Sequence, residues 1–426
     1  MDCIEAAPND APELAVPIHE PLEIVKTRST LRYALVLGTL TALGALGIDM
    51  YLPAFPLIAH SLHVTQGRVQ MSLVSYFLAL ALGQIVYGPL SDRYGRRTPL
   101  LVGLVLFSAA SVGSALTTDI NMLIGMRFLQ GIGACAGSVI SRAVVRDLRS
   151  GEEAARLFAS MLLVLGVSPI CAPLLGSVIT EFLPWQSMFW LLACLGVLAI
   201  TSVWFLLDES HPVHRRTDGG IGQAARTYVR LLVDPKFMFP VLSGGVSQGL
   251  LFAYLSASPF IYITLHHVAP MVYSVLFALN AIGLIGLAQA NVKLLRKFGP
   301  QRLIRFAATV QTASALVLLT AVWFHFDALL LVAACFFVCV GVHGLIGPTT
   351  SMMALEPYPA FAGAASALSG MLQFACGALT GILVSAHFNG TGIPSAEVVL
   401  GCAASGLVIS VLKAPSKAEP VKAVAV

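Results

Sequence analysis

An all-α membrane protein with twelve transmembrane helices in two six-helix bundles is the fold the sequence predicts, on three observations. The 426 residues are 57% hydrophobic and only 11% charged, whereas an ordinary soluble domain carries roughly a quarter charged residues. The apolar residues come in blocks of about 20, the length that crosses ~30 Å of hydrocarbon. All but Arg68 and Arg127 of the 25 basic residues fall on one side of those blocks, as the side retained in the cytoplasm requires.

The first 32 residues are acidic and proline-bearing and lack an apolar core, so they read as a disordered cytoplasmic tail over 1–32, not as a signal peptide. Six apolar spans follow at 33–56, 69–90, 99–117, 121–145, 157–181 and 188–207, giving an N-terminal bundle over 33–207. Segment 208–237 is the only long polar connection and reads as a cytoplasmic linker loop. Six more spans at 238–262, 271–292, 302–323, 328–350, 361–386 and 394–412 make a C-terminal bundle over 238–412, before a cytoplasmic tail over 413–426. An even number of crossings puts both termini on the basic, cytoplasmic side. The same distribution argues against nucleic acid as partner despite the net charge of +4, because the basic residues are topology signals. Seven of the eight cysteines sit in apolar segments, which is packing usage; Cys335 and Cys339 lack the further ligands a metal site needs.

The two halves echo each other. YLPAFP at 51–56 returns as YLSASP at 254–259, and DRYGRR at 92–97 returns faintly as RKFGPQ at 296–301. Asp49 aligns with Phe252 and Asp92 with Arg296, which confines the acidic machinery to the first half.

Asp49 lies well inside the first span, where a charged side chain costs about 2.5–3.5 kcal/mol on insertion scales. Arg127 lies at a similar depth in the fourth span, so the two meet if their helices are neighbours. Burial favours a protonated carboxyl and a guanidinium favours the ionised one. An acid held between those forces changes protonation when a helix shift or a substrate alters its distance to Arg127. Pro53 and Pro56 remove backbone donors and let the helix end bend. A static ion pair fixing helix register is the competing reading.

The loop GPLSDRYGRRTPL at 88–100 resembles the signature of the major facilitator superfamily, in span count and loop positions along the whole chain. DMYLPAFP at 49–56, MRFLQGIGA at 126–134 and SPFIYI at 258–263 resemble its Bcr/CflA (bicyclomycin/chloramphenicol-resistance) branch of bacterial drug:proton antiporters. The resemblance implies the major facilitator fold, a bacterial inner-membrane location, and multidrug, phenicol or bicyclomycin-type efflux by alternating access. It also implies proton exchange at Asp49 and Arg127. Because similar members carry sugars, amino-acid derivatives or purine nucleosides, a proton-coupled importer or exchanger of a polar metabolite is the alternative. A non-transporting membrane sensor is a more remote one.

In the loop, Gly88 and Gly95 allow tight turns and close helix approach. Asp92 suits a helix N-terminus, which the resemblance implies is that of span eleven. Arg93, Arg96 and Arg97 can pair with carboxylates at neighbouring helix ends, Asp147 above all, forming a latch that shuts the cytoplasmic side. Gly166, Pro169, Pro173 and Gly176 in GVSPICAPLLGS resemble the helix-bending antiporter motif of drug exporters.

Polar or aromatic groups inside the spans are candidates for a substrate cavity: Tyr51, Gln130, Tyr254, Asn280 and Gln373. With aromatic and aliphatic linings and one acid, that cavity should favour neutral or weakly cationic amphipathic molecules. His343 reads as an interhelical hydrogen-bonding residue. GVSQG at 245–249 matches a hydrolase nucleophile pattern, but it lies in a membrane helix where Gly245 and Gly249 make a packing GxxxG, so no enzyme is expected. With no GxxxxGK[ST] loop, the chain is read as independent of ATP. No cofactor or metal is expected, and the partners expected of this monomer are a small molecule, protons and the bilayer.

Overall fold

A computed structural model describes residues 30–213, 216 and 221–412. The tails expected over 1–32 and 413–426, apart from residues 30–32, and Arg215 in the linker lie outside the described residues. Twelve helical spans long and apolar enough to cross a membrane occur among the described residues.

The first span is broken into α1 (Thr30–Asp49), a 3-10 turn (Leu52–Ala54) and α2 (Phe55–Ser61). Pro53 and Pro56 sit at the starts of the turn and of α2, where their missing N–H costs least. Then come α3 (Gln66–Tyr94), α4 (Arg97–Ala115), α5 (Ile120–Leu148), α6 (Gly151–Phe182) and α7 (Gln186–Leu206). The linker expected as a loop contains a helix, α8 (Ile221–Leu232). Its period is helical, with Tyr228 and Leu231 on one side packing against the second half and Arg226 and Arg230 exposed.

The second half opens with α9 (Pro235–Pro259), which runs into a π-helical turn (Phe260–Leu265). It continues with α10 (Pro270–Phe298), α11 (Pro300–Trp323), α12 (Leu329–Leu355), α13 (Ala362–Ala386) and α14 (Ile393–Val411). The sequence echo is therefore a structural one: both opening helices lose regular α geometry beside the repeated YLxxxP. The second echo also holds. Gly95 (φ 88°) and Gly299 (φ 76°) make the turns after the second span of each half, in a region that side chains rarely adopt.

The spans form a basic end, where α3 meets α4 and α5 meets α6, and a far end. Small residues let backbones touch. A Cβ on Gly133 or Gly137 would meet the backbones of Phe107 and Leu40, and one on Gly377 would strike the Phe252 ring. Outward faces are apolar, with Leu163, Val102 and Leu330 exposed, as lipid contact demands.

Two seams join the halves, α3 against α13 and α6 against α10. Toward the far end they are closed. Gln66 donates to the Thr264 hydroxyl at 2.6 Å, and the Ser385 hydroxyl to the Gly67 carbonyl at 2.6 Å. Phe77 stacks on Phe252 at 4.1 Å between centroids. The Ser177 and Ser274 hydroxyls lie 2.7 Å apart, and each also lies within hydrogen-bond distance of a carbonyl across the seam, of Pro270 and Pro173 respectively, so their two protons serve three contacts. At the basic end a cavity of about 150 Å3 separates the halves.

Candidate functional site

Asp49 closes α1 and is 6% exposed, and its carboxylate has no hydrogen bond or ion pair among the described residues. Arg127, in the middle of α5, is wholly buried. Its guanidinium donates to the Gly47 carbonyl at 2.8 Å and to Gln130 Oε1 at 2.5 Å. It also lies 4.3 Å from the Tyr76 ring centroid and 4.8 Å from that of Tyr51. Nε has no partner.

A buried cation costs several kcal/mol unless compensated. Here a carbonyl, an amide and aromatic faces offset part of that cost. The structure thus packs α1 against α5 but does not join Asp49 and Arg127 in a direct ion pair. The guanidinium instead holds Gly47 and Tyr51, the residues on either side of Asp49. A second layer fixes these groups: Gln130 donates to Ser111 Oγ at 2.7 Å, and Tyr76 to the Gly44 carbonyl at 3.1 Å. The arrangement supplies an acid with unused hydrogen-bonding capacity in a segment that a buried arginine holds through Gly47 and Tyr51.

The five cavity candidates are not brought together. Tyr51 and Gln130 belong to the cluster around Arg127, with the Tyr51 hydroxyl 2.7 Å from Ser72 Oγ. Tyr254 and Asn280 form the corresponding cluster of the second half, where Asn280 donates to the Tyr254 hydroxyl at 2.8 Å. Gln373 lies apart on α13, half-buried, and donates to Ser369 Oγ at 3.3 Å. Both repeated tyrosines therefore reach a polar side chain on the second span of their own half. His343 Nδ1 lies 2.8 Å from Ser247 Oγ, an interhelical bond between α12 and α9.

The loop residues converge on Arg96. Its Nε donates to Asp147 Oδ2 at 2.8 Å, and its Nη1 to Asp92 Oδ1 at 2.5 Å and Ser91 Oγ at 2.8 Å. Arg97 lies over the Trp204 ring and donates to the Trp204 carbonyl at 2.6 Å. Arg93 makes no ion pair among the described residues and lies over the Tyr94 ring. Asp92 does not cap α13. It shares the basic-end cavity with Gly363 and Ala364 from the first turn of that helix, and Gly88 lines the same space.

Sequence reasoning missed Glu209. Its carboxylate accepts from the Arg96 and Arg97 N–H groups at 2.8 and 3.1 Å, capping the start of α4, where an anion is favoured. The one available signal was the acidic DES at 208–210 on an otherwise basic side. Ser210 joins the network by donating to Asp147 Oδ2 at 3.1 Å.

In α6, Pro169 and Pro173 are interior and Gly176 packs on the Met50 carbonyl, where a Cβ would overlap backbone. That contact lies one residue from Asp49. Gly166 faces Ile285 of α10 with room to spare, its nearest atom 3.7 Å from an added Cβ.

Residues 37–381 match the family model described as Major Facilitator Superfamily. The chain is 35% identical over 385 residues to the uncharacterized MFS-type transporter YdgK of Bacillus subtilis, covering 89% of this chain and 94% of that protein. It is 30% identical over 392 residues to a bicyclomycin resistance protein homolog of Haemophilus influenzae, covering 90% and 96%. The crystal structure of a D-xylose-proton symporter superposes with a TM-score of 0.73 at 15% identity, covering 90% of this chain and 98% of the other, a likeness of fold.

Proposed function

The chain belongs to the Major Facilitator Superfamily, and from that premise we propose that it is a proton-coupled exporter of small amphipathic molecules or drugs, working by alternating access. One observation carries the coupling: the Asp49 carboxylate is buried without a partner among the described residues, two residues along α1 from Gly47, whose carbonyl Arg127 holds. A proton taken up on Asp49 removes the charge from a buried carboxyl. Its loss leaves a buried charge without a partner, which favours a shift of the segment from Gly47 to Tyr51 that brings the carboxylate toward water or toward Arg127. Gly176 of α6 rests on that segment, so the shift reaches a helix that forms the seam to α10.

Export is the direction favoured by the 30% identity to a protein named for bicyclomycin resistance and by the two prolines in α6. On this reading the basic end is cytoplasmic and the protein resides in a bacterial inner membrane. A green fluorescent protein fused to the C-terminus should be fluorescent; a fusion active only as a periplasmic reporter reverses the orientation.

The test of function is accumulation of phenicols, bicyclomycin, cationic dyes and purine nucleosides in cells making wild type or Asp49→Asn. Lower accumulation of a compound with wild type alone supports proton-driven export. Higher accumulation with wild type alone turns the assignment to import, and transport by Asp49→Asn at the wild-type rate removes the acid from the mechanism.

A further inference from the structure

Arg142 and Arg146 stand one turn apart on α5 and line the basic-end cavity together. Neither forms an ion pair among the described residues. Arg142 donates only to the Ser138 carbonyl and to Gln84 Oε1, both at 3.1 Å. Like charges at i, i+4 repel, and walls of low dielectric strengthen that repulsion.

Arg96, on the same wall, is different, because Asp92 and Asp147 neutralise it. The cavity lining contains three arginines against one aspartate, and with Asp147 behind Arg96 the count is three arginines to two aspartates, both engaged with Arg96. One positive charge is left over at the cavity, on the side of Arg142 and Arg146, which have no ion-pair partner of their own among the described residues.

Across that space lies the first turn of α13, with Gly363, Ala364 and Ser366 on the cavity wall. Among the described residues no side chain caps this helix start, so its N–H groups add to the positive potential. Tyr228 of the linker helix lines the same cavity and brings a hydroxyl. At about 150 Å3 the space is roughly that of five waters, enough for a carboxylate or phosphate group with part of its hydration.

We infer that this cavity binds an anionic group, a carboxylate or a phosphate, between Arg142, Arg146 and the start of α13. The inference rests on the transport reading only for the role of the site, which becomes a vestibule that admits anionic or acceptor-rich substrates, in place of the neutral or weakly cationic ones expected from the sequence. Such a group satisfies the two guanidiniums by charge-assisted hydrogen bonds and accepts from the helix N–H groups. The shared chemistry could come from a dissolved small molecule or from an anionic lipid headgroup.

The test is a binding titration without any proton gradient, so its outcome is separate from that of the coupling mechanism. Purified full-length protein in phosphatidylcholine nanodiscs is titrated with 1-naphthoate and with 1-naphthylmethylamine, following probe fluorescence. Saturable binding of the naphthoate and not of the amine is expected, weakened about tenfold by Arg142→Gln or by Arg146→Gln. Gly363→Asp, at a position where an added Cβ meets nothing within 4 Å, should abolish it by placing a carboxylate in the site. In discs containing phosphatidylglycerol, unchanged binding identifies a dissolved anion as the occupant. Suppression in wild type that Arg142→Gln relieves identifies the headgroup at the same site. Absence of saturable naphthoate binding, equal binding by wild type and all three variants, or amine binding as tight as naphthoate binding overturns the inference.

Discussion

The Arg127 guanidinium is bonded to the carbonyl of Gly47, 80 residues earlier in the chain, and not to the carboxylate of Asp49. The bond fixes the end of α1 from inside the bundle and leaves the acid without a partner.

Arg127→Lys should therefore be far from conservative. Lysine retains the charge but cannot hold Gly47 and Gln130 at once while stacking on Tyr76 and Tyr51. Each lost hydrogen bond to a charged group is worth about 1.5–3 kcal/mol, so transport in proteoliposomes should fall about tenfold or more. Wild-type transport by the lysine variant would mean that charge alone suffices.

Two glycines of α6 should behave oppositely. Gly176→Ala forces a methyl into the Met50 backbone, an overpacking that costs about 1–3 kcal/mol, and should lower both thermal stability and transport. Gly166→Ala meets only the tip of Ile285 and replaces a poor helix former, a change of roughly 0.8–1 kcal/mol in favour of the helix. Equal melting temperatures and rates for the two variants would contradict the packing described.

The bond between Ser177 and Ser274 closes the far end of the α6–α10 seam. With these two serines changed to cysteine and the native cysteines replaced by alanine, oxidation should form a disulfide. Transport should then stop and return on reduction if, as proposed, the protein works by alternating access, which needs this seam to part. Cross-linked protein that still transports at the full rate would show that the seam stays closed throughout the cycle.

The loop at 88–100 shows where sequence reading and structure diverge. GPLSDRYGRRTPL showed that arginines and an aspartate would gather at a helix end, with Asp147 as a partner. It did not single out Arg96 from its neighbours, because three arginines within five residues are equivalent until the rotation of α3 and the start of α4 are known. Glu209 was hidden for a related reason. It reaches the start of α4 from 113 residues away, through a turn that no hydropathy pattern describes. The cavity candidates divided for the same cause: polarity marks a residue as needing a partner but not which helix supplies it.

By itself the sequence determined the twelve spans, the two echoing halves, the family, and the identity of the one acid set deep in a span. These follow from block composition and from local motifs, and a shift of a residue or two leaves them intact. Only the tertiary structure decided that Arg127 holds Gly47 instead of Asp49, that Arg96 is the arginine paired with Asp92 and Asp147, and that Arg142 and Arg146 line an open cavity. Hydrogen bonds and ion pairs form within about 3–4 Å, so they depend on helix rotation and depth to a fraction of a turn, which packing between distant segments sets.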